Sequence, residues 1–284
     1  MLVILFRLLS WLPLWVLHAA GSLAGRLAFA ASASYRQRLT RNLQRAGFIE
    51  QLPAAIREAG KNIFELPFIW CAAPRRVLQT AQVLNWEIAQ AAIDTGRGVI
   101  FLTPHLGCFE IIAQVIATRL SLTALYRPPR KSALKPLIEG ARQRANLILA
   151  PANLRGVRTL LKTLKTGGAI GLLPDQVPQQ GEGVWADFFG KPAYTMTLPA
   201  KLHQMTDAPL VLSYAERLPA GGGYLIKFAA FELDATTDPQ QQASAINHAM
   251  EALIACCPAQ YFWSYNRYKT PAGVTNNDTS AESE

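Results

Sequence analysis

One histidine and one glutamate lie five residues apart in the stretch VIFLTPHLGCFEI, residues 99–111. On a continuous α-helix, a five-residue step turns the chain by about 500°, which leaves the two side chains roughly 140° apart. The side chains of His105 and Glu110 can therefore work together only if the chain bends between them. The chemistry of such a pair is acid–base catalysis. An imidazole takes a proton from a hydroxyl, and a carboxylate on the other ring nitrogen fixes the tautomer and stabilises the cation.

The residues around this pair predict the required bend. The run GVIFLT (98–103) is β-branched and aromatic and is typical of a strand, whereas CFEIIAQVIATRL (108–120) has helical periodicity. Pro104 disfavours helix before it, and Gly107 permits a turn. We therefore expect His105 in the loop after the strand, where open α/β sheets bind ligands, and Glu110 in the first helical turn. A histidine that caps the helix, or one satisfied in the core, would produce the same pattern.

Other reactive residue types offer less. His18 lies in an apolar segment, and His203 and His248 lie on predicted helices without acidic neighbours at useful spacing. There is no HExxH or Cys/His ligand cluster, no G-x-S-x-G elbow and no phosphate-binding GxxxxGK[ST] loop, so we expect neither a metal nor a cofactor. The four cysteines lack CxxC spacing and are interpreted as reduced thiols, with Cys108 a small buried residue rather than a nucleophile.

Positive charge is concentrated directly after the His/Glu pair. The chain has a net charge of +9 and a pI near 9.6. Residues 111–174 contain eleven Lys or Arg and a single acid, Glu139, which gives this stretch alone +10. Arginine forks and lysine point charges suit phosphate oxygens, so the pattern favours anionic lipid headgroups or phosphosugars. Aromatic residues for base stacking are not interleaved here, and we expect no nucleic-acid partner.

The N-terminus predicts a membrane anchor over residues 1–30. Eighteen residues without a charge separate Arg7 from Arg26, and together with the apolar MLVILF they reach the length that a spanning helix needs. Arginines follow and no acid appears before Glu50, so the positive-inside rule places the bulk of the chain in the cytoplasm. A cleaved signal peptide, with AFAASAS near position 30 as its cleavage region, is the alternative. Pro13 and the glycines are also compatible with a half-embedded helix.

Beyond the anchor, the patterns predict one α/β domain over residues 31–270. Residues 35–93 have the periodicity of helices. Strands are predicted at GVIFLT, LTALYR, AIGLLPDQ, PLVLSYAERL and GYLIKFAAFEL, with PAGGG as a hairpin turn between the last two. Alternating strands and helices predict a mixed, mostly parallel sheet flanked by helices. The polar residues 271–284 are expected to form a disordered tail.

Several segments, taken together, resemble the bacterial lipid A biosynthesis acyltransferases, the lauroyl and myristoyl transferases within the lysophospholipid acyltransferase superfamily. The most specific are LLPDQVPQQGEGVWADFFGKPAYT and AQYFWSYNRYKTPAG; RNL at 41–43, GVIFLTPHLGCFE and YRPP accompany them in the same order. Glutamate in H-x4-E, and the lack of an EGTR block, separate the chain from the glycerolipid branch. The ending WSYNRYK departs from the more usual WLHRRFK, which bears on the acceptor rather than on the chemistry.

The resemblance implies a glycerolipid acyltransferase-like fold and transfer of a fatty acyl chain from an acyl carrier protein thioester to a hydroxyl of a lipid A precursor of the Kdo2-lipid IVA type. It implies location at the bacterial inner membrane, with the catalytic domain on the cytoplasmic face. By motif, His105 is the general base and Glu110 its partner, and no cofactor is needed beyond the acyl donor. The implied substrate-binding residues are Arg127, Arg144, Asp175 and Gln176.

Two other functions remain open at this level. The acceptor can be another lipid, such as a lysophospholipid, an ornithine lipid or a glycolipid. The chain can also be a non-catalytic, membrane-tethered module that binds anionic lipid, in which case His105 would be dispensable. Acyl-chain length and oligomeric state do not follow from the sequence.

Overall fold

A seven-stranded sheet and a separate two-stranded hairpin form the framework of the chain. The computed structural model describes residues 2–126, Gly140 and 146–275. Its strands are β1 (Ala81–Leu84), β2 (Val99–Leu102), β3 (Leu122–Tyr126), β4 (Leu147–Pro151), β5 (Ala169–Leu172), β6 (Gly183–Phe188), β7 (Lys191–Met196), β8 (Leu210–Arg217) and β9 (Tyr224–Phe231). The large sheet has the order β1-β9-β8-β2-β5-β3-β4, and β6 pairs with β7.

The large sheet is mixed and mostly parallel. Every neighbouring pair runs parallel except β8 and β9, which form an antiparallel hairpin across the PAGGG turn. The strands β1 and β9 therefore run opposite to the other five. This confirms the predicted α/β fold class and the predicted hairpin, and it places the carboxyl ends of β2, β3, β4, β5 and β8 along one edge.

Helices cover both faces of the sheet. They are α1 (Leu2–Leu9), α2 (Leu14–Ala31), α3 (Ala33–Arg45), α4 (Leu52–Phe64), α5 (Leu66–Cys71), α6 (Pro74–Leu78), α7 (Trp86–Asp94), α8 (Phe109–Ala117), α9 (Leu154–Lys165), α10 (Leu198–Thr206) and α11 (Pro239–Cys256). Side-chain caps begin three of them, and at α3 Ser32 accepts from the Tyr35 backbone N–H. Asn153 accepts from the Gly156 backbone N–H at α9, and Asp238 accepts from Gln240 and Gln241 at α11. Such caps satisfy N–H groups that have no partner inside the helix.

The expectation that residues 35–93 are all helical is wrong at one place. Ala81–Leu84 form β1, which pairs in parallel with β9 from Tyr224 to Lys227. Asn85 then adopts a left-handed conformation, with φ of 59°, and separates the strand from α7. Four residues are too few for a periodicity signal, and a partner strand about 140 positions away decides the conformation.

The core lies in two layers, one on each face of the sheet. On β2, Ile100 and Leu102 pack with α3, α4, α9, α10 and α11, whereas Val99 and Phe101 pack with α5, α7 and α8. This alternation follows the two-residue period of a strand. All four residues of β2 are buried, as expected for a central parallel strand. The loop that follows β2 therefore leaves a strand that is buried on both faces of the sheet.

The N-terminal segment is two helices rather than the single anchor helix predicted over residues 1–30. The break falls at Ser10–Pro13, where the Arg76 guanidinium donates to the carbonyls of Ser10, Trp11 and Leu12 at 2.7, 3.1 and 3.0 Å. Those carbonyls have lost helical partners, and Pro13 cannot donate to continue the ladder. Among the described residues, one helix is long and apolar enough to cross a membrane. It is α2, Leu14–Ala31, and 28% of it is buried.

One side of α2 is part of the protein's own core. Leu14 and Leu17 are buried, and Gly21 and Gly25 lie directly against the backbone of α4 at Gly60. A Cβ at any of these three glycines would collide with the facing backbone, so glycine permits the close approach of the two helices. The opposite side of α2 and most of α1 are exposed and apolar. We define these side chains as the apolar N-terminal face: Leu5, Leu8, Trp11, Leu12, Trp15, Leu23 and Leu27.

Candidate active site

The loop after β2 holds His105 at the carboxyl edge of the sheet. Gly107 has a left-handed φ of 57° and lies against the Ala215 carbonyl with no space for a Cβ. The backbone of this loop is fixed on two sides. The Cys108 N–H donates to Ala215 on β8 at 3.0 Å, and the Phe262 N–H donates to the His105 carbonyl at 3.1 Å. The α8 helix then begins at Phe109, so His105 lies outside the helix and Glu110 in its first turn, as predicted.

Asp175 is the carboxylate that contacts the His105 ring. Its Oδ1 lies 2.7 Å from His105 Nδ1, and its Oδ2 accepts the His105 backbone N–H at 2.9 Å. The Asp175 side chain is 1% exposed and the His105 side chain 15%. Burial alone would raise the pKa of the Asp175 carboxyl, but the charge and hydrogen bonds of His105, assisted by Arg267, hold that pKa below its usual value. Asp175 is therefore a carboxylate that orients the ring from two directions.

The other ring nitrogen faces Gln176. The Gln176 amide nitrogen lies 3.1 Å from His105 Nε2. Because an amide NH₂ only donates, Nε2 accepts here, and the neutral ring carries its proton on Nδ1, toward Asp175. This tautomer leaves the Nε2 lone pair directed away from the carboxylate. It is the arrangement that a general base requires.

Glu110 occupies a different position from the one its sequence spacing suggested. Its Oε2 accepts a hydrogen bond from the Trp70 indole at 3.0 Å. The position on His105 Nδ1, which the sequence analysis gave to Glu110, is held by Asp175. Glu110 nevertheless lines the same cavity as His105. A catalytic role for Glu110 therefore stays a prediction. The carboxylate that contacts the His105 ring belongs to Asp175, 70 positions further along the chain.

A cavity of about 480 Å³ opens beside these residues. His105, Glu110 and Gln176 line one part of it. The remainder is largely apolar and comes from α8, β3, β4, α9 and α10. Examples are Ala113, Leu125, Leu149, Val157 and Leu198. The volume lies within the range of small-molecule sites, and a mainly apolar wall with a few polar groups at one place is the usual composition of such a site.

Two segments that are far apart in the sequence meet beside the loop that carries Asp175 and Gln176. Both appear in the sequence analysis only as family motifs. The Asn42 amide, in RNL, donates to the carbonyls of Trp263 and Tyr265 at 2.7 and 2.9 Å. The Tyr265 hydroxyl accepts the Val177 backbone N–H at 3.0 Å, immediately after Gln176. The signal that could have identified these residues is an amide in the RNL motif and a phenol in the WSYNRYK motif, two side chains that can donate or accept hydrogen bonds. Together these hydrogen bonds connect the RNL and WSYNRYK segments to the loop that carries Asp175 and Gln176.

Arg267 completes this support from the WSYNRYK segment. Its guanidinium donates to the Tyr194 carbonyl at 2.7 Å and to Thr195 Oγ1 at 2.6 Å, and it is 2% exposed. Tyr261 is close to both Arg267 and Asp175. Burial, together with the neighbouring Asp175 carboxylate, raises the pKa of the Tyr261 hydroxyl well above its usual range, so it stays protonated. A buried cation and a neutral phenol are thus near the carboxylate that contacts His105.

The remaining predicted residues fall into three groups. Arg127 and Arg144 lie outside the described residues. Cys108 is buried, and burial raises the pKa of its thiol well above its usual range, which suits the structural interpretation rather than that of a nucleophile. His18 pairs with Glu65 at 3.2 Å and His203 faces the Ala208 carbonyl at 2.9 Å. Among the described residues, no group of three or more His, Cys, Asp or Glu side chains could hold a metal ion.

Comparison with known proteins identifies the family. The sequence profile described as "Bacterial lipid A biosynthesis acyltransferase" matches residues 1–270. The chain is 26% identical over 275 residues to the lipid A biosynthesis lauroyltransferase of Escherichia coli K12, covering 93% of this chain and 89% of that protein. It is 27% identical over 224 residues to the E. coli lipid A biosynthesis palmitoleoyltransferase, covering 78% and 72% of the two chains. A Haemophilus influenzae lipid A biosynthesis acyltransferase is 23% identical over 230 residues, covering 80% and 70%. Because the profile spans the N-terminal helices, the His105 loop and the closing WSYNRYK segment, the chain belongs to the bacterial lipid A biosynthesis acyltransferases and is an O-acyltransferase.

Proposed function

We propose that this enzyme transfers a fatty acyl chain from an acyl carrier protein thioester to a hydroxyl of a lipid A precursor of the Kdo2-lipid IVA type. The observation that carries the proposal is the His105 ring, held by Asp175 at a mainly apolar cavity with Nε2 directed at Gln176. The relatives named above act in lipid A biosynthesis with lauroyl and palmitoleoyl groups, which supports the acceptor and the type of acyl group.

In the proposed reaction, His105 Nε2 takes the proton of the acceptor hydroxyl as its oxygen attacks the thioester carbonyl carbon. The carbon–sulfur bond then breaks, and the leaving thiolate takes the proton from Nε2. Asp175 stabilises the imidazolium between these steps because it stays ionised beside Nδ1. A positioned base of this type contributes roughly 10²–10⁴ in rate. The steps require no metal, no cofactor and no covalent enzyme intermediate.

Gln176 marks the position of the acceptor hydroxyl in this proposal. Its amide donates to Nε2 at 3.1 Å, the distance at which a hydroxyl must bind to give up its proton. The acceptor therefore replaces or displaces that amide when it binds. The acyl chain occupies the apolar part of the cavity, where each buried CH₂ contributes about 0.8 kcal/mol.

The apolar N-terminal face is proposed to hold the enzyme on the inner membrane. Trp11, at the break between α1 and α2, is 81% exposed. Exposed tryptophan side chains are enriched at the boundary between lipid and water. The α2 helix contacts the turn between β8 and β9, where Trp15 meets Gly221. That turn follows the carboxyl end of β8, so the face and the site share one edge of the sheet. A lipid acceptor can thus reach His105 from the membrane, with the domain on the cytoplasmic side.

Replacement of the base tests the proposal directly. Washed membranes that contain the enzyme are assayed with acyl carrier protein thioester and an underacylated lipid A precursor, and the product is measured by mass spectrometry. We expect His105→Ala to lower turnover by about 10²–10⁴ and to leave membrane association intact. His248→Ala, an exposed histidine on α11, is the matched control and should keep full activity.

Two outcomes of this assay would reject the proposal. Undiminished turnover by the His105→Ala variant would show that His105 is not the general base. Wild-type enzyme that leaves the lipid A precursor unchanged but acylates a lysophospholipid, an ornithine lipid or a glycolipid would keep the chemistry and change the acceptor.

A further inference from the structure

The α9 helix carries a row of positive charge that the proposed chemistry does not use. Arg155, Arg158, Lys162 and Lys165 are exposed, whereas Leu160 and Leu164 on the other side are buried in the core. Steps of three and four residues place the four charges on one face of the helix. No acidic residue occurs in Leu154–Lys165. None of the ion pairs formed within the described residues involves any of the four.

This basic face starts at the cavity. The helix begins directly after β4, and Asn153, Leu154 and Val157 line the cavity. Leu154 is 78% exposed, which leaves an apolar side chain at the opening beside the first charge. From there the helix runs back along the sheet for about 18 Å, at about 1.5 Å per residue. Its last turn reaches Gly98, just before β2, because Gly98 lies against the Leu164 backbone.

The placement of this face favours a protein partner over a membrane. The α9 helix packs on β3, β4 and β5, on one side of the sheet. The apolar N-terminal face contacts the β8–β9 turn. Three strands, β2, β5 and β3, lie between β8 and β4. The row also runs from the carboxyl edge toward the opposite edge. A membrane that covers the N-terminal face would therefore meet one end of the row and not its length.

We propose that the basic face of α9 is the docking surface for the acidic acyl carrier protein that delivers the thioester. This inference rests on the proposed function. Docking along α9 would place the carrier's prosthetic arm at the Leu154 end of the row, where the cavity opens toward His105. Complementary charge along the helix would fix the orientation of the carrier and raise the association rate, and both effects weaken with salt.

Reversal of charge in the middle of the row tests this surface. Arg158→Glu/Lys162→Glu leaves the cavity-lining residues in place. We expect the KM for acyl carrier protein thioester to rise about tenfold, with kcat nearly unchanged and with a smaller salt dependence of kcat/KM. Turnover of an uncharged N-acetylcysteamine thioester of the same acyl chain should stay within twofold of wild type, which also shows that the variant is folded.

The matched control is Arg41→Glu/Lys191→Glu, which reverses two exposed charges on α3 and β7; it should behave as wild type with both donors. An unchanged KM for the carrier thioester in the α9 variant would overturn the proposal. A rise in KM for the lipid acceptor instead of the carrier would also overturn it, by assigning the face to anionic lipid.

Direct binding of the carrier protein separates this inference from the proposed function. If wild-type enzyme binds the carrier, the α9 variant does not, and lipid A precursor is never acylated, then the surface stands and the proposed acceptor fails. If turnover is normal while wild type and variant bind the carrier equally, the surface fails alone.

Discussion

At the scale of single residues, the proposed chemistry depends on the way one imidazole is held. His105 is fixed through its backbone N–H, its carbonyl and Nδ1, and two of these three contacts come from Asp175. An aromatic ring also packs on the imidazole, because the Phe109 ring centre lies 4.7 Å away. A base that is oriented before the substrate binds avoids paying for that orientation during the reaction.

The first residue-scale prediction separates Asp175 from Glu110. Asp175→Asn keeps the size of the side chain but removes the charge that stabilises the imidazolium and fixes the proton on Nδ1. We expect kcat to fall by about 10²–10⁴ with little change in the KM for the lipid acceptor. Steady-state kinetics with the lipid A precursor measures both constants.

Glu110→Gln is the matched carboxylate-to-amide control for that experiment. It keeps an acceptor oxygen for the Trp70 indole, which donates to Glu110 at 3.0 Å. If Asp175 orients the ring, the asparagine variant should lose more kcat than the glutamine variant. The reverse order would return the orienting role to Glu110, as the H-x4-E spacing first suggested.

At the scale of elements, a buried ionic cluster joins the N-terminal helices to the sheet. Glu65, between α4 and α5, accepts from Arg217 on β8 through both oxygens at 2.8 and 2.6 Å. Its Oε2 also accepts from the Tyr224 hydroxyl at 3.0 Å and lies 3.2 Å from His18 on α2. Burial alone would raise the pKa of the Glu65 carboxyl, but the charge and hydrogen bonds of Arg217 and His18 lower it to about 2.

This cluster predicts acid sensitivity of a definite sign. The pKa of Glu65 is lower in the folded chain than the usual 4.5, so its contribution to stability is complete above about pH 4.5. That contribution is lost as the pH falls toward 2, because the folded state must then take up the proton. We expect the free energy of unfolding in detergent to fall across this window, as measured by denaturant titration.

The Glu65→Gln variant should lack this part of the pH dependence and should be less stable at pH 7 by about 3–5 kcal/mol, because it leaves Arg217 buried with a weaker partner. Glu50→Gln, at an exposed glutamate, is the matched control and should follow the wild-type curve. An unchanged pH profile in the Glu65 variant would contradict the assignment.

Sequence patterns predicted the elements that carry a local signal and missed the contacts made over long distances. The β2–loop–α8 unit follows from GVIFLT, Pro104 and Gly107 because each residue acts on its own backbone. Asp175 could be placed in the site by its motif, but its bond to His105 depends on parallel pairing of β2 with β5. That pairing brings together two strand ends about 70 residues apart. The sequence predicted a single anchor helix over residues 1–30, so neither the break at Ser10–Pro13 nor its stabilisation by Arg76 was predicted.

At the scale of the whole molecule, the two surfaces that we propose for the two substrates lie apart. The apolar N-terminal face is beside the β8–β9 turn, and the basic face of α9 is beside β4 at the other side of the sheet. Both lead to the carboxyl edge, where His105 stands between β2 and β5. If both proposals hold, this separation would let a lipid acceptor arrive from the membrane while a soluble donor arrives from the other side, so that the two would meet only at His105.

The membrane side of this arrangement predicts how the enzyme should respond to charges in the apolar N-terminal face. Leu8 and Trp11 are exposed and lie outside the core, so Leu8→Glu/Trp11→Glu should not unfold the domain. Burial of each side chain in lipid contributes about 1.5–3 kcal/mol. Losing two such contributions should weaken binding to phospholipid vesicles by on the order of 100-fold or more. Co-sedimentation with vesicles of phosphatidylethanolamine and phosphatidylglycerol measures this change.

Leu84→Glu/Met205→Glu introduces the same charges at exposed apolar positions outside the face and should sediment like wild type. Equal loss of binding in both variants would show that net charge, rather than this face, governs attachment, and unchanged binding in the first variant would place the membrane contact elsewhere.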